Sequence, residues 1–280
     1  MIHVIVASNA GFCFGVKRAI KLAFKAAQTY PPPIFSLGPL IHSPQVVRKL
    51  EETGVSVIAE LNKVQGGTVI FRSHGVTIDE KHLAKEMGLK IVDATCPFVK
   101  QVERYASSLS RGGYFLVLVG DKGHPEVQGI LSHIKGEALV TESAQGLKKL
   151  SGVKKLGVIA QTTQSYKNFQ EVVSQSLLVA REVRAFNTIC DATFIRQQEA
   201  VTLAKEVDCM IVIGGYNSAN TTRLAHICRQ IQPNTYHVET ECELDPLWFR
   251  GVQRVGITAG ASTPNWLIKR VREEVIKLDP

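Results

Sequence analysis

The sequence predicts an α/β protein built from three similar domains, each with a small, mainly parallel sheet, and three observations predict it. Short apolar runs rich in Val and Ile alternate along the 280 residues with stretches whose apolar residues fall at i, i+3 and i+4, the pattern of strands feeding helices around parallel sheets. Three cysteines, Cys13, Cys96 and Cys190, recur at near-even spacing, each closing an apolar run (HVIVASNAGFC, KIVDATC, VRAFNTIC) before a helical pattern. Each is followed 28 or 29 residues later by a polar loop residue, and 32 to 44 residues beyond that by another.

The elements follow in order. The strand HVIVAS leads to Cys13 and a helix over 15–29 (GVKRAIKLAFKAAQT). The run IFSLGPL ends at His42; after a helix and the short strand VSVI, the run TVIFRS ends at His74, and a further helix and KIVDATC close the unit at Cys96. The second unit repeats this plan. Its helix over 97–111 (PFVKQVERYASSLSR) opens on Pro97, where the missing N–H costs nothing. YFLVLVGDKG then ends at His124, EALV is the short strand, LGVIAQ ends at Thr162, and VRAFNTIC reaches Cys190. The third unit has a helix over 192–206 (ATFIRQQEAVTLAKE), MIVIGGYN ending at Ser218, the short strand TYHV, VGITAGA ending at Ser262 and a helix over 263–276. No closing strand follows, so HVIVAS is expected to take that place. The domains are then 14–96, 97–190, and 1–13 with 191–280, each within the usual size range.

Composition agrees. Hydrophobic residues make up 45% and charged residues 21%, as in a water-soluble globular protein. No apolar stretch approaches the ~20 residues that span a bilayer, and the N-terminus lacks the regions of a signal peptide, so no membrane association and a cytoplasmic location are expected. There the six cysteines stay reduced and serve as structural, catalytic or metal-binding groups. The net charge of +8 comes from Lys and Arg scattered over helices, with no compact basic run interleaved with aromatics, so nucleic acid is not an expected partner. The charge would instead steer in an anionic small ligand or an acidic protein.

Nine strand-end loops therefore present three Cys, three His and three hydroxyls, beyond the carboxyl ends of strands where open α/β sheets bind ligands. The cysteines lie more than 80 residues apart, far too distant for a zinc finger or a local ferredoxin-type run. Gathered by folding, they would suit a four-iron cluster with one iron left open; zinc with an exogenous ligand is the competing reading. Neutral His, Ser and Asn beside glycine-rich backbone suit phosphate, and Glu126 in GHPEVQG is the acid placed to donate a proton. Taken singly, His42 or His74 reads as a surface or capping residue, and NSAN (217–220) as a helix N-cap; the matched offsets after each cysteine favour a shared role. Cys209 in DCMIVI and Cys228 in a helical pattern read as small buried hydrophobes, while Cys242 lies in the acidic loop ETECELD with no assigned role.

The motifs NAGFCFGVKRAI (9–20), SHGV (73–76), DATCP (93–97), GHPEVQG (123–129), QTT (161–163), NSAN (217–220) and GITAGAS (256–262) together resemble the 4-hydroxy-3-methylbut-2-enyl diphosphate reductase family of the methylerythritol phosphate route to isoprenoids, over nearly the whole chain. The resemblance implies three α/β domains in a pseudo-threefold trefoil around one [4Fe-4S] cluster held by Cys13, Cys96 and Cys190, with the substrate hydroxyl at the fourth iron. It implies diphosphate binding by His42, His74, His124, Ser218, Asn220 and Ser262, contact of Thr162 and Glu126 with the allylic hydroxyl, and proton supply by Glu126. The family's NSSN reads NSAN here, so Ala219 offers a backbone N–H without a hydroxyl, which bears on affinity. Thr193 stands where the family carries a threonine after the third cysteine. The implied products are isopentenyl and dimethylallyl diphosphate. No GxGxxG follows a strand, so no nicotinamide or flavin site is expected, and electrons would come from an external carrier such as a ferredoxin or flavodoxin.

Two other readings share features with this one. A cluster-dependent dehydratase or condensing enzyme of similar plan, such as quinolinate synthase, would keep the cysteine triad, but the His42, His74 and His124 set argues against it. An iron-sulfur sensor or nucleic-acid-binding protein would need an exposed basic groove with stacking aromatics; aromatics are 7% of the chain, mostly Phe in apolar runs.

Overall fold

The computed structural model describes residues 2–278. Strand β1 (His3–Val6) leads to helix α1 (Phe14–Thr29). There follow β2 (Ile34–Leu37), α2 (Pro44–Glu51), β3 (Val55–Ile58), β4 (Thr68–Phe71), α3 (Ile78–Glu86) and β5 (Lys90–Asp93). The second run is α4 (Pro97–Arg111), β6 (Phe115–Val119), α5 (Pro125–Leu131), β7 (Ala138–Thr141), β8 (Val153–Ala160), α6 (Tyr166–Val179) and β9 (Ala180–Ala185). The third is α7 (Asp191–Glu206), β10 (Cys209–Ile213), α8 (Ala219–Arg229), β11 (Thr235–Val238), β12 (Arg254–Ala259) and α9 (Asn265–Lys277). Short 3-10 turns fill the connections, including one over Glu241–Glu243 that contains Cys242.

The strands form three parallel four-stranded sheets, in the orders β3-β2-β4-β5, β7-β6-β8-β9 and β11-β10-β12-β1. All three share one topology: the first strand of each run lies second, its successor lies outside it, and the third strand returns to the other side. The fourth place in the last sheet is taken by β1, with His3 beside Arg254 and Val6 beside Ile257. The N-terminal strand thus closes the third sheet, which has no strand of its own to do so.

Strand alternation explains the layers. In the third sheet Ile211, Ile213, Val255 and Ile257 pack on Val271 and Val275 of α9. The opposite face, with Met210 and Val212, packs on Ala200, Leu203 and Ala204 of α7 and on Leu224, Ala225 and Cys228 of α8. The second sheet likewise buries Val117, Val119 and Val158 against Phe169 and Val172 of α6, and Leu116, Leu118 and Ile159 against α4 and α5. Each fully buried aliphatic side chain contributes about 1.5–3 kcal/mol. Strands covered on both faces read as continuous apolar runs, which is why TVIF and CMIVI are buried throughout.

Two compact units result: Met1–Val16, His42–Val46 and Asp191–Pro280 form one, and Lys17–Ile41 with Val47–Cys190 the other. Among the described residues no helix is long and apolar enough to cross a membrane.

Candidate functional site

In each sheet the first and third strands of a run are neighbours whose connections depart to opposite sides. The crevice beyond their carboxyl ends is a topological switch point, where open α/β sheets take up ligands. Six of the polar residues picked out in the sequence lie in the loops after these strands: His42 and His74 after β2 and β4, His124 and Thr162 after β6 and β8, and Ser218 and Ser262 after β10 and β12.

Within the larger unit, Cys96 is the N-cap of α4 and Pro97 fills the first helical position. The Cys96 N–H donates to the carbonyl of Ser73 at 2.9 Å, seating it against the loop of His74. The His74 ring meets that of His124 edge to face, centroids 5.4 Å apart and planes at 84°. His124 caps α5: its Nδ1 accepts from the Glu126 N–H at 3.1 Å, which leaves the ring proton on Nε2, the donor end. Glu126 is 1% exposed. Its Oε1 accepts from the Thr162 N–H at 2.6 Å and its Oε2 from the Thr162 hydroxyl at 2.8 Å. The Thr162 carbonyl in turn accepts from the Cys190 N–H at 3.0 Å. Acid, hydroxyl and thiol segment are thus joined in series by hydrogen bonds.

The smaller unit repeats the arrangement. The Cys13 N–H donates to the Ala261 carbonyl at 3.2 Å, beside Ser262, whose hydroxyl donates to the His42 carbonyl at 3.1 Å. Ser218 caps α8, its Oγ accepting from the Thr221 N–H at 3.3 Å. Ala219 and Asn220 then form the first turn of α8, where backbone N–H groups lack helical acceptors and favour an anion. The Asn220 side chain is 7% exposed, and its Nδ2 is buried without a hydrogen-bond partner. The loops pack closely: a Cβ on Gly260 would lie 2.0 Å from the Thr221 hydroxyl, so GITAGAS needs glycine there.

All three cysteine amides therefore donate to the loop after the third strand of a run: Cys13 to that of Ser262, Cys96 to that of His74, Cys190 to Thr162 itself. Each of the three residues is half-buried and lies at, or next to, a helix start. None of the six cysteines is in a disulfide. Cys209 and Cys228 are fully buried, and burial pushes both thiols up to about 12, so they are inert hydrophobes. Cys242 is exposed, in a 3-10 turn where the sequence suggested an irregular loop. Thr193 is buried in the first turn of α7.

The cap of α5 is the His124 ring, and Glu126 stands in the first turn of that helix. Missed in the sequence were Arg196 and Glu199 of α7. The Arg196 guanidinium donates to the carbonyls of Gly11 and Ala192, and the Glu199 carboxylate accepts from the N–H groups of Ser8 and Asn9. Their spacing of three on a helix that follows a cysteine is the one signal the sequence offers for the pair.

A family model described as LytB protein matches residues 4–276. A 4-hydroxy-3-methylbut-2-enyl diphosphate reductase of Geobacter sulfurreducens is 55% identical over 277 residues, covering 99% of this chain and 98% of the relative. One of Trichlorobacter lovleyi is 57% identical over 268 residues, covering 96% and 95%. Among solved structures, (E)-4-hydroxy-3-methyl-but-2-enyl diphosphate reductase, described as the terminal enzyme of the non-mevalonate pathway, matches with a TM-score of 0.72 and 46% identity over 99% of this chain and all of that one. The E-1-hydroxy-2-methyl-but-2-enyl-4-diphosphate reductase of Plasmodium falciparum matches with a TM-score of 0.92 and 28% identity over 96% and 86%.

Proposed function

The chain belongs to the LytB protein family, and from that membership and its loop geometry we propose that it reductively removes the allylic hydroxyl of 4-hydroxy-3-methylbut-2-enyl diphosphate. Two electrons and two protons enter, the C–O bond breaks, a C–H bond forms, and isopentenyl or dimethylallyl diphosphate leaves with one water. The observation that carries the reading is the Glu126–Thr162–Cys190 series, which joins a buried carboxyl to a segment bearing a thiol.

The proposal assigns Cys13, Cys96 and Cys190 to one [4Fe-4S] cluster, with the domain division 14–96, 97–190, and 1–13 with 191–280. The donor set fits. Three half-buried thiols stand at or beside helix starts, and three thiolates would leave the fourth iron of a cube without a protein ligand. Bound there, the cluster would supply electrons and a Lewis-acid iron for the departing oxygen.

The chain's own groups do the rest. The Nε2 donor end of His124, with His42 and His74, the hydroxyls of Ser218 and Ser262, the Asn220 amide and the Ala219 N–H would hold the diphosphate. Binding energy from that remote group is converted into orientation of the allylic carbon. The Thr162 N–H and hydroxyl fix both oxygens of Glu126, so the carboxyl is aimed before substrate arrives, and it would pass a proton to the departing oxygen. The electrons would come from an acidic carrier, a ferredoxin or flavodoxin, drawn by the net charge of +8.

The test is the visible and paramagnetic-resonance spectrum of anaerobically purified protein with iron, sulfide and zinc quantified, followed by turnover of the diphosphate with a chemical reductant. A four-iron signal with both products detected is expected. Zinc in place of iron and sulfide, or loaded protein that leaves the substrate untouched, would overturn the proposal.

A further inference from the structure

The loop that leaves β10 begins with two glycines, and the segment that leaves the neighbouring strand β11 holds it. Gly214 has φ +143°, and a Cβ there would lie 2.6 Å from the Thr263 hydroxyl, so the turn out of β10 needs glycine. Glycine brings the largest conformational freedom of any residue, yet this loop must present the Ser218 hydroxyl and the first-turn N–H groups of α8. The strands β10 and β11 run in register, Ile213 beside Val238, so their two loops emerge side by side. Tyr216 ties them together. Its N–H donates to Glu239 Oε1 at 2.7 Å, its hydroxyl donates to Glu243 Oε2, and its ring lies on that of His237 with centroids 4.7 Å apart. Its carbonyl accepts from the Thr222 hydroxyl of α8 at 3.1 Å, which couples the same residue to the helix it precedes.

The receiving side is itself fixed. Glu243 Oε1 accepts from the N–H groups of Glu239 and Thr240 at 3.1 and 3.0 Å, so one carboxylate braces its own segment with one oxygen and takes the tyrosine with the other. Tyr216 is 54% exposed, so its polar contacts rather than burial of its ring decide where it lies. The bond to Glu243 pushes the Tyr216 hydroxyl up to about 12, far enough above neutral pH for it to stay a donor. At the far end of the loop Ser218 is 3% exposed, and the buried Asn220 Nδ2 has no hydrogen-bond partner. A buried donor left unmet is costly, and an anion's oxygen would meet it. Donors held in place before a ligand arrives spare the ordering cost at binding.

We infer that Tyr216, latched to Glu239 and Glu243, is a positioning residue that sets the turn over 218–220 for the diphosphate and so acts on affinity rather than on turnover. The inference rests on the proposal that Ser218, Ala219 and Asn220 take part of the diphosphate.

The experiment is calorimetric titration of inorganic pyrophosphate into the anaerobically purified holoprotein, with kcat and KM for the diphosphate substrate under a chemical reductant. The variants are Tyr216→Phe, Tyr216→Ala, Glu243→Ala and the combination of Tyr216→Phe with Glu243→Ala. Tyr216→Phe should weaken pyrophosphate and raise KM by about 3- to 10-fold, the scale of one hydrogen bond, with kcat unchanged; Tyr216→Ala, which also removes the ring contact, should cost more. Glu243→Ala should weaken pyrophosphate at least as much as Tyr216→Phe, and the combined variant no more than Glu243→Ala alone, because both substitutions break the same bond. If Glu243→Ala does not fold, the two Tyr216 variants decide. Parent affinity in Tyr216→Ala, or a loss of kcat and cluster content with KM unchanged, as damage to the fold alone would give, overturns the inference. A parent that does not bind pyrophosphate would remove the diphosphate assignment and the inference with it. A parent that binds pyrophosphate without turning over the substrate would remove the proposed reaction alone, and the affinities would still decide the inference.

Discussion

Glu126 is fixed through both oxygens by one residue, Thr162, and this decides what its replacement will do. Glu126→Gln keeps the size of the side chain and one acceptor oxygen, but its amide cannot release a proton, so turnover should fall roughly 10²-fold or more, the scale of losing a general acid. Under the proposed function, substrate binding and the cluster spectrum should persist. Single-turnover assays with a chemical reductant measure this without the protein donor, and a near-parent rate would pass the proton role to Thr162 or water. The residues proposed to hold the diphosphate should behave differently. His42→Ala and Ser262→Ala should each weaken the diphosphate by about 1.5–3 kcal/mol, the usual cost of losing a hydrogen bond to a charged group, with the cluster spectrum unchanged. Because the Ser262 hydroxyl also donates to the His42 carbonyl, the double variant should lose less or more than the sum; strict additivity by calorimetric titration would mean the two act independently. The places of His42, Thr162 and Ser262 in loops after strands were legible in the sequence as matched offsets from cysteines. The His124 cap and the Thr162 grip on Glu126 were not, because a hydrogen bond between residues 36 apart leaves no periodic trace.

At the scale of elements, α4 has the bounds its pattern predicts, 97–111, and α1 and α7 each begin one residue before theirs. A cysteine, a proline or an acidic first turn marks each start, and the apolar stripe marks each length. EALV was one residue early against Ala138–Thr141, since a four-residue edge strand carries little pattern. A side-chain contact that reinforces the β10–β11 ladder was invisible for another reason: it is made by one imidazole. His237 Nε2 lies 2.8 Å from the Gly214 carbonyl, and so holds the start of the GGYN loop. Burial, the largest cause, holds the His237 pKa below its ordinary 6.5, against opposing effects of the Gly214 bond and Glu239. With the folded value depressed, the unfolded chain binds more protons in that interval. The His237 contribution to stability is then full above pH 6.5 and is lost as pH falls from there through the lower folded value. Urea midpoints measured from pH 8 to pH 5 should therefore fall less steeply for His237→Phe than for the parent. His133, also held low first by burial against Glu103, adds to the slope in both proteins, so the difference between them isolates His237.

Three sheets with one strand order, each completed at its fourth place, make the whole molecule a repeat whose last unit borrows β1 from the beginning of the chain. The missing strand after 263–276 pointed to that closure because parallel sheets need a partner for every central strand. The chemical consequence is a sorting of six thiols into three environments, which one measurement can count. Cys209 and Cys228 are fully buried with thiols pushed up to about 12, so almost no reactive thiolate exists at pH 8. Cys242 is exposed, and Cys13, Cys96 and Cys190 are half-buried; under the proposed function the last three are masked while iron and sulfide are bound. Brief alkylation of the anaerobic holoprotein at pH 8, read by mass spectrometry, should label Cys242 alone. After the cluster is stripped by a chelator under mild conditions, the label should extend to Cys13, Cys96 and Cys190, and only in denaturant to Cys209 and Cys228. Protection of Cys13 without protection of Cys96 and Cys190 would mean that the three repeats do not share one centre. Labelling of Cys209 or Cys228 before the triad would mean that the third sheet opens more readily than the cluster leaves.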